Sequence, residues 1–245
     1  MRFIYFVYGV MCYLIFFATF LYAIGFVGNF VVPKSMDSGV QGSLTEALLI
    51  NLLLIGVFGL QHSVMARQGF KEKWAKIVPA AIERNTYVLF SSMALMLIFW
   101  QWRPMGGVIW DVSNSTLGSV MIAISLLGWM IVLISTFLLS HFELTGLSQA
   151  FSNLTGKEIQ GSNQFKTPGL YRYVRHPIYL GFTVAFWSTP IMTVAHLLFA
   201  AGFLVYTLVG ILLEEKDLIA MFGDEYRKYQ SKVSMLVPLP PRDND

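Results

Sequence analysis

Five stretches of this chain carry no Asp, Glu, Lys or Arg: Phe3–Pro33, Ala47–Ala66, Asn85–Trp102, Val112–Phe142 and His176–Leu213. A helix needs about 20 predominantly apolar residues to cross a bilayer. The runs reach or approach that length, so they read as membrane spans. Composition agrees: 13% of the 245 residues are charged, where soluble domains hold about 25%. The expected fold is an all-α polytopic membrane protein.

The last run is 38 residues long, enough for two crossings. "WSTPIMTVAH" (Trp187–His196) sits at its middle. Pro190 lacks an N–H and disfavours straight helical continuation. We therefore expect about six spans, the last two a helical hairpin over 176–213. The first run does not read as a cleaved signal peptide. It is too long, only Arg2 precedes it, and it lacks a small-x-small cleavage site. Cys12 is the single cysteine, which leaves no disulfide framework and no cysteine-based metal site.

Charge sets the topology. With six spans, fifteen Lys and Arg residues fall on the side of the N-terminus, and Lys34 and Arg103 alone fall on the other. This positive-inside pattern places both termini in the cytoplasm, in what would be a bacterial inner membrane. The net charge of +3 reports topology and contact with anionic lipid, with no aromatic-basic pattern that would suggest nucleic acid. The chain divides into 1–140, a bundle of spans one to four, and 141–245, comprising a cytoplasmic segment, the hairpin and a tail. The two parts are expected to form one integrated domain.

The segment His141–Arg175 is a 35-residue loop rich in Gly, Asn and Thr. Loops of this length are usually functional or disordered; returning aromatics at Phe165, Tyr171 and Tyr173 predict partial order. The tail from Glu214 starts as an amphipathic helix, with Leu218, Ile219 and Phe222 opposite Asp217, Asp224 and Arg227. Pro238, Pro240 and Pro241 end it.

The hairpin brings Arg175–His176 and Glu214–Glu215 to the same membrane side. Pro177 suits the first position of a helix, and a helix start favours an anion. Arg175 adds a bidentate fork for a carboxylate. Glu214 and Glu215, placed at a helix end, call for a cation. A ligand carrying both a carboxylate and a cation satisfies the two ends. S-adenosylmethionine is such a ligand, with Tyr179, Phe182 and Tyr226 available for its adenine. Each residue alone has an ordinary reading as anchor, surface pair or interface aromatic; their convergence favours a site.

"TPGLYRYVRHPIYLGF" and "LLEEKDLIAMFGDEYRKY" resemble the isoprenylcysteine carboxyl methyltransferase superfamily. The pattern R-H-P-x-Y-x-G falls on Arg175, His176, Pro177, Tyr179 and Gly181. A Glu pair falls on Glu214 and Glu215, and F-G-x-x-Y-x-x-Y on Phe222, Gly223, Tyr226 and Tyr229. The resemblance implies that this last third builds a cytoplasmic S-adenosylmethionine site. "QHSVMAR", "IERNTYVLFSSMALMLIFWQWRP" and "HFELTGLSQ" extend the likeness over nearly the whole chain, to bacterial methanethiol S-methyltransferases. It implies S-adenosylmethionine-dependent methylation of methanethiol to dimethyl sulfide. Proteins of the NnrU type share the "QHSVMAR"-like segment.

Methyl transfer to a thiol is an in-line displacement that positioning alone can accelerate greatly. The thiolate is the better nucleophile, so a proton acceptor is expected. Candidates are His141 and Glu143, with Tyr171 beside the cofactor motif, and Gln61 and His62 as substrate contacts, since intramembrane polar residues are functional candidates. His196 reads as a structural interface residue and Asn51 as a helix–helix contact. Four scattered histidines lack metal-ligand spacing, so no metal is expected, nor any obligatory protein partner. Rival readings are a methyltransferase for another thiol, a prenylcysteine or a lipid, a nicotinamide-dependent membrane reductase, and a transporter. Neither inverted repeats nor a midplane charge supports the last.

Overall fold

A computed structural model describes residues 1–157 and 165–240. Pro241, Arg242 and residues 158–164 of the expected loop lie outside that range. In chain order the elements are α1 (Arg2–Gly28), α2 (Leu44–Ala66), α3 (Gln68–Trp74), α4 (Ala80–Gln101), β1 (Val108–Asp111) and α5 (Thr116–Leu138). There follow α6 (His141–Leu144), α7 (Leu147–Thr155), a 3-10 turn over Gly169–Arg172, α8 (Pro177–Trp187), β2 (Ile191–Thr193), α9 (Val194–Phe222) and α10 (Asp224–Lys232). The fold is helical, with β1 and β2 forming one small sheet.

Among the described residues, α1, α2, α5 and α9 are long and apolar enough to cross a membrane. The chain is accordingly an integral membrane protein. The other two expected spans differ from the long helices. The Asn85–Trp102 run forms all but the first turns of α4, which begins among Glu83 and Arg84. α8 is apolar but has 11 residues, a rise of about 16 Å. The helical break falls where Pro190 puts it: α8 ends at Trp187, and Ser188 to Pro190 are non-helical.

The chain folds as two compact units. The first comprises the described parts of Met1–Asp111, His141–Gln160 and Met192–Phe199. Here α4 packs on α1 and α2, and α7 packs on α1. Gly9 makes the last contact possible: a Cβ there would lie 2.7 Å from the Ala150 Cβ. Asn51 is fully buried, but its partner is backbone rather than another helix's side chain. Its amide donates to the Arg103 carbonyl (2.8 Å) and accepts from the Arg103 N–H (2.9 Å), tying α2 to the chain leaving α4. Residues 141–155, expected as loop, form α6 and α7. Gly146 joins them at φ +87°, close enough to Asn85 that a Cβ would meet its backbone N at 2.6 Å.

The second unit comprises the described parts of Val112–Ser140, Gly161–Ile191 and Ala200–Asp245. Its main contact is α5 against α8. Gly128 and Gly181 face each other so closely that a Cβ on either would lie 2.7 Å from the other's carbonyl oxygen. Small residues let membrane helices approach in this way. Ser125 Oγ donates to the Ala185 carbonyl at 2.9 Å, and Trp129 meets Phe182 and Phe186 edge-on. α9 does not stop at Leu213 but continues to Phe222. Gly223, at φ +57°, turns the chain into α10. That helix ends at Lys232, well before Pro238.

Candidate functional site

The chemistry of the second unit concentrates where α8 begins. Pro177 occupies the first helical turn and His176 the N-cap. The residues before the helix are held by the tail. Arg175 N–H donates to the Ser234 carbonyl (2.9 Å) and His176 N–H to the Met235 carbonyl (3.2 Å), with Val174 and Ser234 forming a parallel bridge. The tail thus fixes the direction in which Arg175 and His176 project.

Both project toward α9. The carboxylate of Glu215, which is 7% exposed, collects four side-chain donors. Oε1 accepts from Arg175 Nε at 2.7 Å and Tyr226 hydroxyl at 3.3 Å, and lies 3.0 Å from His176 Nε2. Oε2 accepts from Gln230 Nε2 at 2.6 Å. Arg175 Nη1 donates to the carbonyls of Gln230 (2.9 Å) and Val233 (2.6 Å). A buried carboxylate needs this degree of satisfaction.

Glu214 differs. Its side chain is 43% exposed and lies 3.8 Å from His176 Nδ1. It accepts one hydrogen bond from the Tyr179 hydroxyl at 3.0 Å. The two adjacent carboxylates therefore have different capacities. Glu215 is consumed by the protein, and Glu214 presents an anion to the outside. Because α9 continues to Phe222, both stand inside a helix, and helix-end electrostatics do not act on them. The expectation that Arg175 meets a ligand carboxylate while the Glu pair meets a cation has to be set beside an Arg175 turned inward onto Glu215.

Aromatic rings surround the carboxylates. Phe165 lies 5.4, 5.7 and 5.2 Å from the rings of Phe222, Tyr226 and Tyr229. The Tyr229 hydroxyl donates to the Tyr171 carbonyl at 2.5 Å. Burial pushes the phenol of Tyr171 up, and the negative charge of Glu214 adds to it. Burial also raises Tyr226, helped by Glu215 and opposed by Arg175. Tyr229 is pushed up to about 12, chiefly by burial. A phenol so raised keeps its proton near neutral pH, so Tyr171 can donate a hydrogen bond and is a poor base.

Six of the residues singled out in the sequence converge here: Arg175, His176, Tyr179, Glu214, Glu215 and Tyr226. Pro177 starts α8, which carries Tyr179 and has His176 as its N-cap, and Gly181 makes the close contact with α5. Gln230 and Phe165 complete the cluster without having been singled out for the site, and Tyr229, named only as part of the family motif, joins them. Tyr226, Tyr229 and Gln230 recur three and four residues apart, the spacing of one helix face, and that pattern could have found two of them.

The remaining candidates belong to the first unit. His141 starts α6, and its Nε2 lies 3.2 Å from the Tyr13 hydroxyl; burial lowers its pKa, favouring the neutral ring. The carbonyl of Glu143 accepts from Gln149 Nε2 at 3.1 Å. The Tyr87 hydroxyl is 2.8 Å from His62 Nε2, with Arg84 above the Tyr87 ring at 4.9 Å. Gln61 directs its amide nitrogen to Met65 Sδ (3.2 Å) and Ser91 (3.5 Å). Its Oε1 is buried with no hydrogen-bond partner among the described residues.

A family model described as NnrU protein matches residues 49–238, a range that contains every candidate named above. The chain belongs to the NnrU family. Its relatives include methanethiol S-methyltransferase 1 of Bradyrhizobium diazoefficiens, 56% identical over 97% of this chain and 83% of that protein. The methanethiol S-methyltransferase of Crocosphaera subtropica is 53% identical over 94% of this chain and 90% of its own length. That of Mycobacterium tuberculosis is 52% identical over 98% of both. No solved structure matches. Both the α8–α9 head of this NnrU-family member and its first-unit candidates thus fall inside regions shared with named methyltransferases.

Proposed function

We propose that this chain is a membrane thiol S-methyltransferase that converts methanethiol to dimethyl sulfide with S-adenosylmethionine as methyl donor. The observation that carries the reading is identity of 52–56% over 94–98% of the chain to relatives named for that reaction.

The second unit suits such a donor. Glu214, half-exposed and oriented by Tyr179, would hold its ammonium. The rings of Phe165, Phe222 and Tyr226 offer an apolar surface for its adenine, and the start of α8 favours its carboxylate. When bound, the donor supplies a methyl carbon made electrophilic by a sulfonium. Arg175 acts through Glu215: it locks the loop before α8 against α9 and so sets where His176 and Tyr179 stand.

In the acceptor half-reaction a sulfur lone pair forms the new carbon–sulfur bond as the old one breaks, and the thiol proton leaves. The neutral His141 is suited to take that proton, with Glu143 two residues on in the same short helix. Gln61, whose Oε1 has no hydrogen-bond partner among the described residues, and His62 are the proposed thiol contacts. Tyr171, holding its own proton, supports the donor pocket through Tyr229.

The hairpin reading extends to six crossings. α8 and the non-helical residues Ser188–Thr193 together reach at most about 36 Å, comparable with the thickness of a bilayer core of about 30 Å. On that reading 141–245 carries the donor site, 1–140 the first four spans, and both termini face the cytoplasm. The expected partners are the thiol and membrane lipid.

Purified protein in detergent, supplied with S-adenosylmethionine and methanethiol, should release dimethyl sulfide into the headspace. Absence of product under conditions where the protein binds S-adenosylhomocysteine would move the assignment to another acceptor.

A further inference from the structure

The first unit has a groove on α2, α3 and α4 that the proposed reaction touches only at Gln61, one of its lining residues. Its volume is about 530 Å³, far more than a one-carbon thiol fills. Its walls are apolar apart from Gln61: Val57, Leu60 and Val64 from α2, Phe70 and Trp74 from α3, and Phe90 from α4. Leu60 is 68% exposed and Val64 41%, so the groove opens along the outer face of a helix apolar enough to cross a membrane.

We propose that this groove binds an anionic phospholipid. The charge beside it points to that occupant. Arg67, the N-cap of α3, whose Nε donates to the Ser63 carbonyl, Lys71 and Lys73 on α3, and Lys76 just after it lie within ten residues, with Glu72 the single acid among them. Glu72 accepts from Gln68 at 3.3 Å, while Lys73 and Lys76 are exposed. α3 directly follows the end of α2, so its cations stand at the level of headgroups while Val57, Leu60 and Val64 stand at the level of acyl chains. Phe70 and Trp74, one helical turn apart, turn the apolar side of α3 into the groove. A polybasic segment next to a spanning helix attracts anionic lipid; the groove beneath it converts that attraction into a site for one chain.

The test is native mass spectrometry of delipidated protein with phosphatidylglycerol or phosphatidylcholine of identical chains. One phosphatidylglycerol should survive activation that strips phosphatidylcholine. Leu60→Trp, which fills the groove, should abolish retention, and the double variant Lys71→Gln, Lys73→Gln should reduce the preference at least fivefold. Equal retention of the two lipids, or unchanged retention in Leu60→Trp, would overturn the proposal. So would a raised KM for methanethiol in Leu60→Trp with lipid retention intact, which would assign the groove to the thiol. Should the variants not fold, wild-type protein cross-linked to phosphatidylglycerol with a photoreactive chain decides. Label on Val57–Val64, Phe70, Trp74 or Phe90 is expected, and label elsewhere alone contradicts it.

Discussion

Arg175 Nε lies 2.7 Å from Glu215 Oε1, and the two side chains are 10% and 9% exposed. The pair joins the loop before α8 to the last third of α9, and the same guanidinium reaches two carbonyls of the C-terminal segment. One side chain thus holds three stretches of the second unit together.

Breaking this pair should destabilise the protein. Glu215→Ala strands a buried guanidinium, and losing one partner of a buried pair costs about 3–5 kcal/mol. Thermal unfolding in detergent should show a large fall in Tm. Arg175→Lys should not restore stability, because an ammonium cannot reproduce a fork that meets one carboxylate and two carbonyls.

Glu214 should behave in the opposite way. Among the described residues its one hydrogen bond is from Tyr179, with His176 Nδ1 at 3.8 Å, and it is half-exposed, so Glu214→Gln should change stability by only about 0.5 kcal/mol. Calorimetry should show affinity for S-adenosylhomocysteine falling about tenfold or more. A variant that loses stability but keeps affinity would reverse the roles given to the two carboxylates.

The tyrosine cluster sets an alkaline limit. Tyr171, Tyr226 and Tyr229 are raised above the ordinary value of about 10. The folded state therefore keeps protons that the unfolded state releases. The contribution is fully present below about pH 10 and is lost as pH rises from there through 12. Phenolate absorbance should show these tyrosines titrating only as the protein unfolds, and Tyr229→Phe should remove one such late group.

The α5–α8 contact should reject any added carbon. Gly128→Ala or Gly181→Ala drives a methyl into a carbonyl 2.7 Å away, and neither backbone can yield without parting the helices. A loss of about 1–3 kcal/mol is expected, measurable by chemical unfolding. Gly223→Ala, with open space around it, strains only its own positive φ and should cost less.

The meeting of Arg175 and His176 with Glu214 and Glu215 was legible in the sequence because an uncharged run of fixed length has basic residues at one end and acids at the other. Pro177 and Pro190 marked where α8 starts and where the helix breaks. The inward turn of Arg175 was not legible: two of its acceptors are main-chain carbonyls of Gln230 and Val233, which carry no residue-type signal. Glu214 and Glu215 look equivalent in sequence, and only the rotation of α9 buries one and exposes the other. α7 was obscured by its neighbours. Leu147, Ala150, Phe151 and Leu154 recur at helical spacing, but the surrounding Gly, Asn and Thr read as loop. The groove on α2 and α3 arises from residues on three helices, and no local pattern announces it.

The most direct measurement is the mass of dimethyl sulfide formed from unlabelled methanethiol and S-adenosylmethionine carrying a trideuterated methyl group, using purified wild-type protein. The account predicts product bearing one trideuterated and one ordinary methyl, formed in proportion to enzyme. Unlabelled product, or none while the labelled donor is bound, would contradict it.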